Sequence, residues 1–216
     1  MKETVKYLDH YLSGQGVSID PRKIEAINKW TPPETVSHVR SFLGLASYYR
    51  KFVKNFSAIA APLTDLLHKD CKFIWASAQQ EAFDELKRQL TTAPVLLIPD
   101  PALPFTITSD ASDFAIRAIL SQDQGKGQQL VAYESRKLTS AEQNYPIHEK
   151  ELLTIVHAIK LWRPYLEGQC FIVITDHASL EYIKTQYNIS VDKLASLKLY
   201  KQMILKYDIN LAKQIL

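Results

Sequence analysis

The runs FTITSD at residues 105–110 and CFIVITD at residues 170–176 each predict a β-strand followed directly by an aspartate. The first run alternates apolar and polar residues, and the second is nearly all apolar, as expected of a strand buried on both faces. If the two strands are parallel neighbours, Asp110 and Asp176 emerge together at their carboxyl ends, where open α/β sheets bind ligands. The alternative is that each aspartate only ends its strand or caps the next element.

A helix is predicted between these two strands, from about Pro146 to Tyr165. Its apolar residues recur at helical spacing and are Leu152, Ile155, Val156, Ile159 and Trp162. Glu151 lies on the same face as Ile155, so a carboxylate stands near the start of the face that packs on the sheet, where an unpaired charge is costly. The alternative is a first-turn glutamate favoured by the helix dipole, a role that Glu149 fills equally well.

These elements predict that Asp110, Glu151 and Asp176 converge on one point. Three carboxylates need a cation to neutralise them, and hard oxygen ligands suit Mg²⁺ or Mn²⁺ rather than zinc. Two such ions, about 3.5–4 Å apart, can activate a water molecule and stabilise the leaving oxygen in phosphodiester hydrolysis. The pattern therefore predicts a catalytic divalent-metal site.

The remaining strands complete the expected fold of residues 105–216. Residues 114–121 and 129–135 are predicted to be strands on either side of a polar loop, and residues 207–211 a last strand. The class is α/β, or α+β over the whole chain, with a mixed sheet of about five strands flanked by helices.

The first 92 residues are predicted to form a small, mainly helical region. Its helices are placed at residues 22–30, in a stripe that begins at Val36, and at 78–90 after a Ser77-x-x-Gln80 capping box. Residues 93–104 contain four prolines and predict a linker. We also expect exposed apolar surface on the N-terminal region, which would favour association with a second copy or another protein.

Composition places the chain among ordinary globular proteins. Of its 216 residues 46% are hydrophobic and 23% charged, and the net charge of +3 requires any nucleic acid to be held by a local patch. Cys71 and Cys170 are the only cysteines, which argues against a disulfide framework and for an intracellular location, in the cytoplasm or the nucleus. The polar N-terminus and the lack of any apolar run of about 18 residues predict no membrane segment.

A basic cluster near the middle of the N-terminal region is interleaved with aromatic residues. Arg40, Arg50 and Lys51 stand beside Tyr48 and Tyr49, an arrangement that suits a phosphate backbone and equally suits a solvated face beside a core. We also assign Arg136 and His177 to nucleic-acid binding, with proton transfer or product release as a further role for His177.

Several of these stretches together resemble the polyprotein of gypsy-type LTR retrotransposons. The motifs occur in the family's order, at residues 39–52 (VRSFLGLASYYRKF), 61–64 (APLT), 109–112 (SDAS), 135–138 (SRKL), 149–153 (EKELL) and 175–177 (TDH). The resemblance covers about residues 5–182.

The resemblance implies that residues 1–92 are the end of a reverse transcriptase, its thumb and connection, and that residues 105–216 are a ribonuclease H domain. It places the catalytic carboxylates on Asp110, Glu151 and Asp176. Such enzymes cut the RNA strand of an RNA/DNA hybrid with two Mg²⁺ ions, guided by hybrid shape and 2′-hydroxyls. No Tyr-x-Asp-Asp palm motif occurs, so we expect no polymerase activity from this chain alone.

Two departures from the family pattern favour an alternative, a catalytically inactive remnant that binds nucleic acid or protein. Family members usually carry glycines after the first aspartate, whereas this chain has Arg117, which would either block the substrate backbone or add a phosphate contact. The motif that supplies a fourth carboxylate is missing, and Asp208 is not its equivalent. A phosphatase-like enzyme with Asp110 as nucleophile fits poorly, because position 112 is a serine.

Overall fold

The computed structural model describes residues 4–69, 71–167, 169 and 171–175. The chain forms two compact units, Met1–Ile98 with Ala132–Ser135, and Pro99–Val131 with Arg136–Leu216. No helix in the described part of the chain combines the length and the apolar character needed to cross a bilayer. The predicted last strand, together with Asp176, His177 and Asp208, lies outside the described residues.

The first unit begins with a three-stranded antiparallel sheet that the sequence did not predict. Its strands are β1 (Val5–Tyr7), β2 (His10–Ser13) and β3 (Gly16–Ile19), in the order β1-β2-β3. The turn between β1 and β2 has positive φ at both Leu8 and Asp9, the twist that a two-residue hairpin requires. The strands are short, β1 is exposed throughout, and the turn lacks the usual Asn-Gly signal. The sequence therefore shows no alternation of apolar and polar residues that would predict these strands.

Helices follow this sheet in the first unit, as predicted. They are α1 (Pro21–Asn28), α2 (Val36–Tyr48), a 3₁₀ turn (Arg50–Phe52), α3 (Phe56–Ile59), α4 (Ala61–Asp65) and α5 (Ser77–Thr91). Asp20 and Thr35 cap α1 and α2, accepting from the backbone N–H groups of Arg22 and His38. Their buried faces form one core, which includes Ile27, Phe42, Phe52, Leu63, Phe83 and Leu86.

The start of α5 differs by one residue from the predicted capping box. The helix begins at Ser77, and the side chain of Gln79 accepts from the backbone N–H of Ala76 at 3.2 Å. The side chain of Gln80 instead accepts from Trp75 Nε1 at 2.8 Å. Gln80, which the sequence pattern predicts to cap the helix, is therefore hydrogen-bonded to the Trp75 indole instead.

The predicted linker is held at its start by the first unit. Leu96 pairs with Val17 of β3 through two backbone hydrogen bonds of 2.7 and 2.8 Å and is 2% exposed. Gly16 permits this approach, because a Cβ at that position would lie 2.1 Å from the Leu96 carbonyl oxygen. Gly16 also has φ +137°, which favours glycine.

A mixed four-stranded sheet is formed mainly by residues of the second unit. Its strands are β4 (Phe105–Ala111), β5 (Ala115–Asp123), β6 (Gln128–Lys137) and β7 (Phe171–Thr175), in the order β6-β5-β4-β7. Strand β4 pairs with β5 antiparallel and with β7 parallel, the latter in a register that matches Ser109 with Thr175. The two runs that contain β4 and β7 are therefore parallel neighbours, the arrangement on which the predicted site depends.

Three described helices accompany this sheet: α6 (Ser140–Gln143), α7 (Ile147–Leu161) and α8 (Arg163–Leu166). Helix α7 packs on β4 and β5 and ends before the predicted boundary, with Trp162 as its C-cap. Its buried residues include Ile155, Ala158 and Ile159, and Ile107 of β4 is also fully buried. A mixed sheet covered by helices confirms the predicted fold class.

Candidate active site at the end of the mixed sheet

Asp110 belongs to β4 itself rather than to the loop that comes after it. The antiparallel register places it opposite Arg117 of β5, and Asp110 Oδ2 lies 2.8 Å from Arg117 Nη2. The Asp110 side chain is 50% exposed and that of Arg117 34% exposed. The Asp110 carboxylate therefore lies at the protein surface and is paired with the Arg117 guanidinium.

The turn between β4 and β5 fixes this register. Ser112 Oγ donates to the Ala115 carbonyl at 2.8 Å, and Ser112 Oγ accepts from the Ala115 N–H at 3.1 Å. The Ser112 N–H also donates to the Ala115 carbonyl at 2.9 Å. Ser112 thus acts in the turn, and its bonds hold Arg117 opposite Asp110.

Glu151 joins α7 to the carboxyl end of the sheet. It is 1% exposed, its Oε1 accepts from the backbone N–H of Ala111 at 3.0 Å, and Thr175 Oγ1 lies 3.4 Å from its Oε2. The fifth residue of α7, it lies beyond the first turn, where Glu149 is the acidic residue. The hydrogen bonds offset the cost of burying the carboxylate and aim it between the ends of β4 and β7.

Lys150 is a part of this region that the sequence analysis missed. It is 4% exposed, and its Nζ lies 2.9 Å from Asp113 Oδ1 in the turn after β4. Thr154 Oγ1 donates to the Lys150 carbonyl at 2.8 Å. An acidic residue three positions after Asp110 and a lysine beside Glu151 are the signals that point to this pair.

The donor chemistry at this edge of the sheet fits a hard divalent cation, because Asp110 and Glu151 supply the carboxylate oxygens that Mg²⁺ and Mn²⁺ prefer. Asp176, the third predicted ligand, comes directly after Thr175 in the sequence and lies outside the described residues. Among the residues that are described, no three histidine, cysteine, aspartate or glutamate side chains group closely enough to hold a metal.

The predicted nucleic-acid contacts have different surroundings. Arg40 is exposed on α2, whereas Arg50 Nη2 lies 3.2 Å from Glu134 Oε1, also bonds the Ser135 carbonyl, and has its guanidinium 5.6 Å from the Phe56 ring. Burial lowers the pKa of Lys51, whose Nζ lies 5.4 Å from the centre of the Phe52 ring.

Arg136 is held by a bidentate pair with Glu142, with both N···O distances 2.9 Å. The hydrogen bonds from Arg136 lower the pKa of Glu142 to about 2. Glu142 also closes the capping box of α6 by accepting from the Thr139 N–H at 2.8 Å. His177 lies outside the described residues, and nucleic-acid binding by all of these residues stays a prediction.

A family model described as "RNase H-like domain found in reverse transcriptase" matches residues 75–173. The matched segment contains α5, the strands β4, β5 and β6, helix α7 and the start of β7. It therefore includes both described carboxylates of the candidate site.

Curated relatives extend the match over nearly the whole chain. The chain is 36% identical over 96% of its length to the retrovirus-related Pol polyprotein from transposon opus of Drosophila melanogaster. It is 39% identical over 94% to that from transposon gypsy of the same organism, and 35% identical over 82% to the transposon Tf2-3 polyprotein of Schizosaccharomyces pombe. The chain spans 21%, 20% and 13% of these relatives, about a fifth of their length or less.

Solved structures of a viral protein share the fold. Foamy viral protease-reverse transcriptase dRH in complex with double-stranded DNA superposes with a TM-score of 0.86 at 22% identity, covering 100% of this chain and 39% of that one. Foamy viral protease-reverse transcriptase in complex with RNA/DNA hybrid gives a TM-score of 0.81 at 23% identity, covering 99% of this chain and 30% of that one. With these matches on the sequence and fold, the chain belongs to the retrotransposon Pol polyproteins and carries their RNase H-like domain.

Proposed function

We propose that this chain hydrolyses the RNA strand of RNA/DNA hybrids in a reaction that depends on a divalent cation. The observation that carries the proposal is the contact between Glu151 and the Ala111 N–H, which directs a buried carboxylate to the strand end that bears Asp110. A buried carboxylate at the strand end that also bears a solvent-exposed one is an arrangement that a cation stabilises. The thumb and connection identity of residues 1–92 is part of the same proposal.

Three side chains would hold the cation, Asp110, Glu151 and Asp176. Divalent ions bound by carboxylates supply an activated water and stabilise the leaving oxygen of a phosphodiester. Glu151 is oriented for this task by the Ala111 N–H and by Thr175, which fix the position of its carboxylate before substrate arrives. Asp110 is half exposed, so its carboxylate is accessible to a phosphate backbone.

An RNA/DNA hybrid is the substrate that the relationships support. The foamy viral enzyme of the same fold has been solved with double-stranded DNA and with RNA/DNA hybrid. In this chain the exposed Arg40 offers a phosphate contact, whereas Arg50 and Arg136 would have to exchange an acidic partner for a phosphate.

A second candidate is a binding module without catalysis, and the Arg117–Asp110 ion pair favours it. A carboxylate that is already neutralised by a guanidinium has a weaker demand for a metal ion. Such a module would hold the hybrid and leave its RNA strand intact.

The test is cleavage of an end-labelled RNA/DNA hybrid by the full chain in Mg²⁺ and then in Mn²⁺. Asp110→Asn and Glu151→Gln are expected to reduce the rate by at least about 100-fold, because each removes a ligand that stabilises the transition state. Glu81→Gln, an exposed glutamate on α5, is the matched control and should cleave like the wild type. Folded wild-type protein that binds the hybrid without cutting it would replace this proposal with the binding module.

A further inference from the structure

Arg117 occupies the place from which a cation would approach Asp110. Its Nη2 lies 2.8 Å from Asp110 Oδ2, within the range of a charge-assisted hydrogen bond. The β4–β5 register puts the two residues directly opposite each other, and the Ser112 turn fixes that register. The contact is therefore built into the backbone pairing rather than reached by a long side chain from elsewhere.

The surroundings of Arg117 restrict its alternatives. Its side chain is only one-third exposed, and its Nε is buried with no hydrogen-bond partner among the described residues. A guanidinium is always charged, so no change of pH within the physiological range releases it from the carboxylate. A cation that binds Asp110 therefore competes with a charged guanidinium at any such pH.

We propose that Arg117 is an internal counter-ion that competes with the divalent cation for Asp110. This inference rests on the proposed function, since it concerns the same carboxylate. Loading the cation requires the guanidinium to move off Asp110, so the affinity of the site for Mg²⁺ or Mn²⁺ is lower than the carboxylates alone would give. Arg117 thereby raises the metal concentration at which the site is occupied.

The test measures the binding of Mn²⁺ to the full chain in the absence of nucleic acid. The electron paramagnetic resonance signal of the Mn²⁺ ion monitors the binding. Arg117→Gln retains the length of the side chain and removes its charge, and we expect it to bind Mn²⁺ about fivefold more tightly. That ratio corresponds to about 1 kcal/mol, the upper value for an exposed ion pair. Arg117→Lys keeps the charge and should remain close to the wild type.

Arg88→Gln is the matched control, because Arg88 forms a comparable pair with Glu85, at 2.6 Å, on α5. It should leave Mn²⁺ affinity unchanged. In the background of Asp110→Asn, adding Arg117→Gln should have no effect, because the carboxylate for which the two cations compete is gone. Circular dichroism of each variant checks that the fold is retained.

The outcomes separate this inference from the proposed function. Equal or weaker Mn²⁺ binding by Arg117→Gln, together with loss of binding in Asp110→Asn, would overturn the competition and leave the metal site standing. Binding that is indifferent to Asp110 and Glu151, or absent from every variant, would overturn both. Tighter Mn²⁺ binding by the Arg117→Gln single variant, with no such gain when Asp110→Asn is also present, supports the role of Arg117 as a counter-ion.

Discussion

The three-stranded sheet of the first unit and the four-stranded sheet of the second are stabilised in different ways. Strand β1 is exposed throughout, and its sheet is tied by hydrogen bonds from distant residues: the hydroxyls of Tyr48 and Tyr49 to the Leu8 and Asp9 carbonyls, and the Leu96 bridge. The mixed sheet buries apolar residues such as Phe105 and Ile107, and α7 packs on its strands β4 and β5. One sheet depends on a few directional bonds and the other on apolar burial.

Removing a core side chain from the mixed sheet should have the largest effect. Ile107 in β4 is 0% exposed, and Ile107→Ala should lower the free energy of unfolding by about 3–4 kcal/mol through lost burial and a cavity. Urea denaturation measures the loss, and hydrogen exchange should accelerate in the peptides of β4 and β5. Exposed Ile74→Ala is the control, with an expected change under about 0.5 kcal/mol.

The corresponding change in the first sheet is Gly16→Ala. A Cβ there would lie 2.1 Å from the Leu96 carbonyl oxygen at a φ of +137°, so the β3–Leu96 bridge must open or strain. We expect a loss of about 2–3 kcal/mol, with faster exchange at Val17 and Leu96. Gly44→Ala, at a helical glycine with open space around its Cβ, should instead be neutral or stabilising. Unchanged exchange in Gly16→Ala would contradict the importance of this close approach.

A smaller effect is expected at the hydroxyl that ties α2 to the first hairpin. Tyr49→Phe removes the bond to the Asp9 carbonyl and should cost about 1 kcal/mol. Burial raises the pKa of Tyr49 to about 12 from an ordinary 10.0, so its protonated form stabilises the fold fully below pH 10. Because this stabilisation is lost as the pH rises from 10 to 12, the wild type should lose stability there and Tyr49→Phe should not show this component. Parallel pH titrations of the two unfolding midpoints measure it.

The smallest effect is expected at the Arg136–Glu142 pair beside the mixed sheet. Glu142→Gln should cost about 1 kcal/mol or less, because the pair is partly exposed. The folded pKa of Glu142 is about 2 against an ordinary 4.5, so its stabilisation is full above pH 4.5 and lost as the pH falls toward 2. The stability difference between wild type and variant should shrink over that interval. A difference that persists at pH 2 would assign the effect to packing.

The contrast between the sheets also explains which features the sequence predicted. Apolar periodicity predicted β4, β7 and α7, because these elements bury apolar side chains, whereas the parallel pairing of β4 and β7 was only a condition of the predicted site. It could not mark β1, whose residues are exposed, or the Leu96 bridge, which joins residues far apart in the chain. The hydrogen bonds from Tyr48 and Tyr49 also join residues that are distant in the chain, and a local sequence pattern does not predict such bonds.

The residues of the candidate site likewise differ in how far the sequence predicts their contacts. Glu151 stood out because a charge on an apolar face needs a partner, and the structure supplies the Ala111 N–H. Arg117 is unusual for its residue type at a position where family members usually carry glycine, but its pairing with Asp110 depends on the register that the Ser112 turn sets. The alternation of β4 predicts a strand without specifying which residue lies across from Asp110.

The Leu96 bridge has a consequence for the order of folding during synthesis. The partner of Val17 lies about 80 residues later in the chain, a span that a ribosome makes in roughly 4–16 s at about 5–20 residues per second. Until then β3 has an unpaired edge, open to pairing with another extended chain. The nascent first unit therefore passes through a period in which premature association competes with its own closure, and the arrival of Leu96 ends that period.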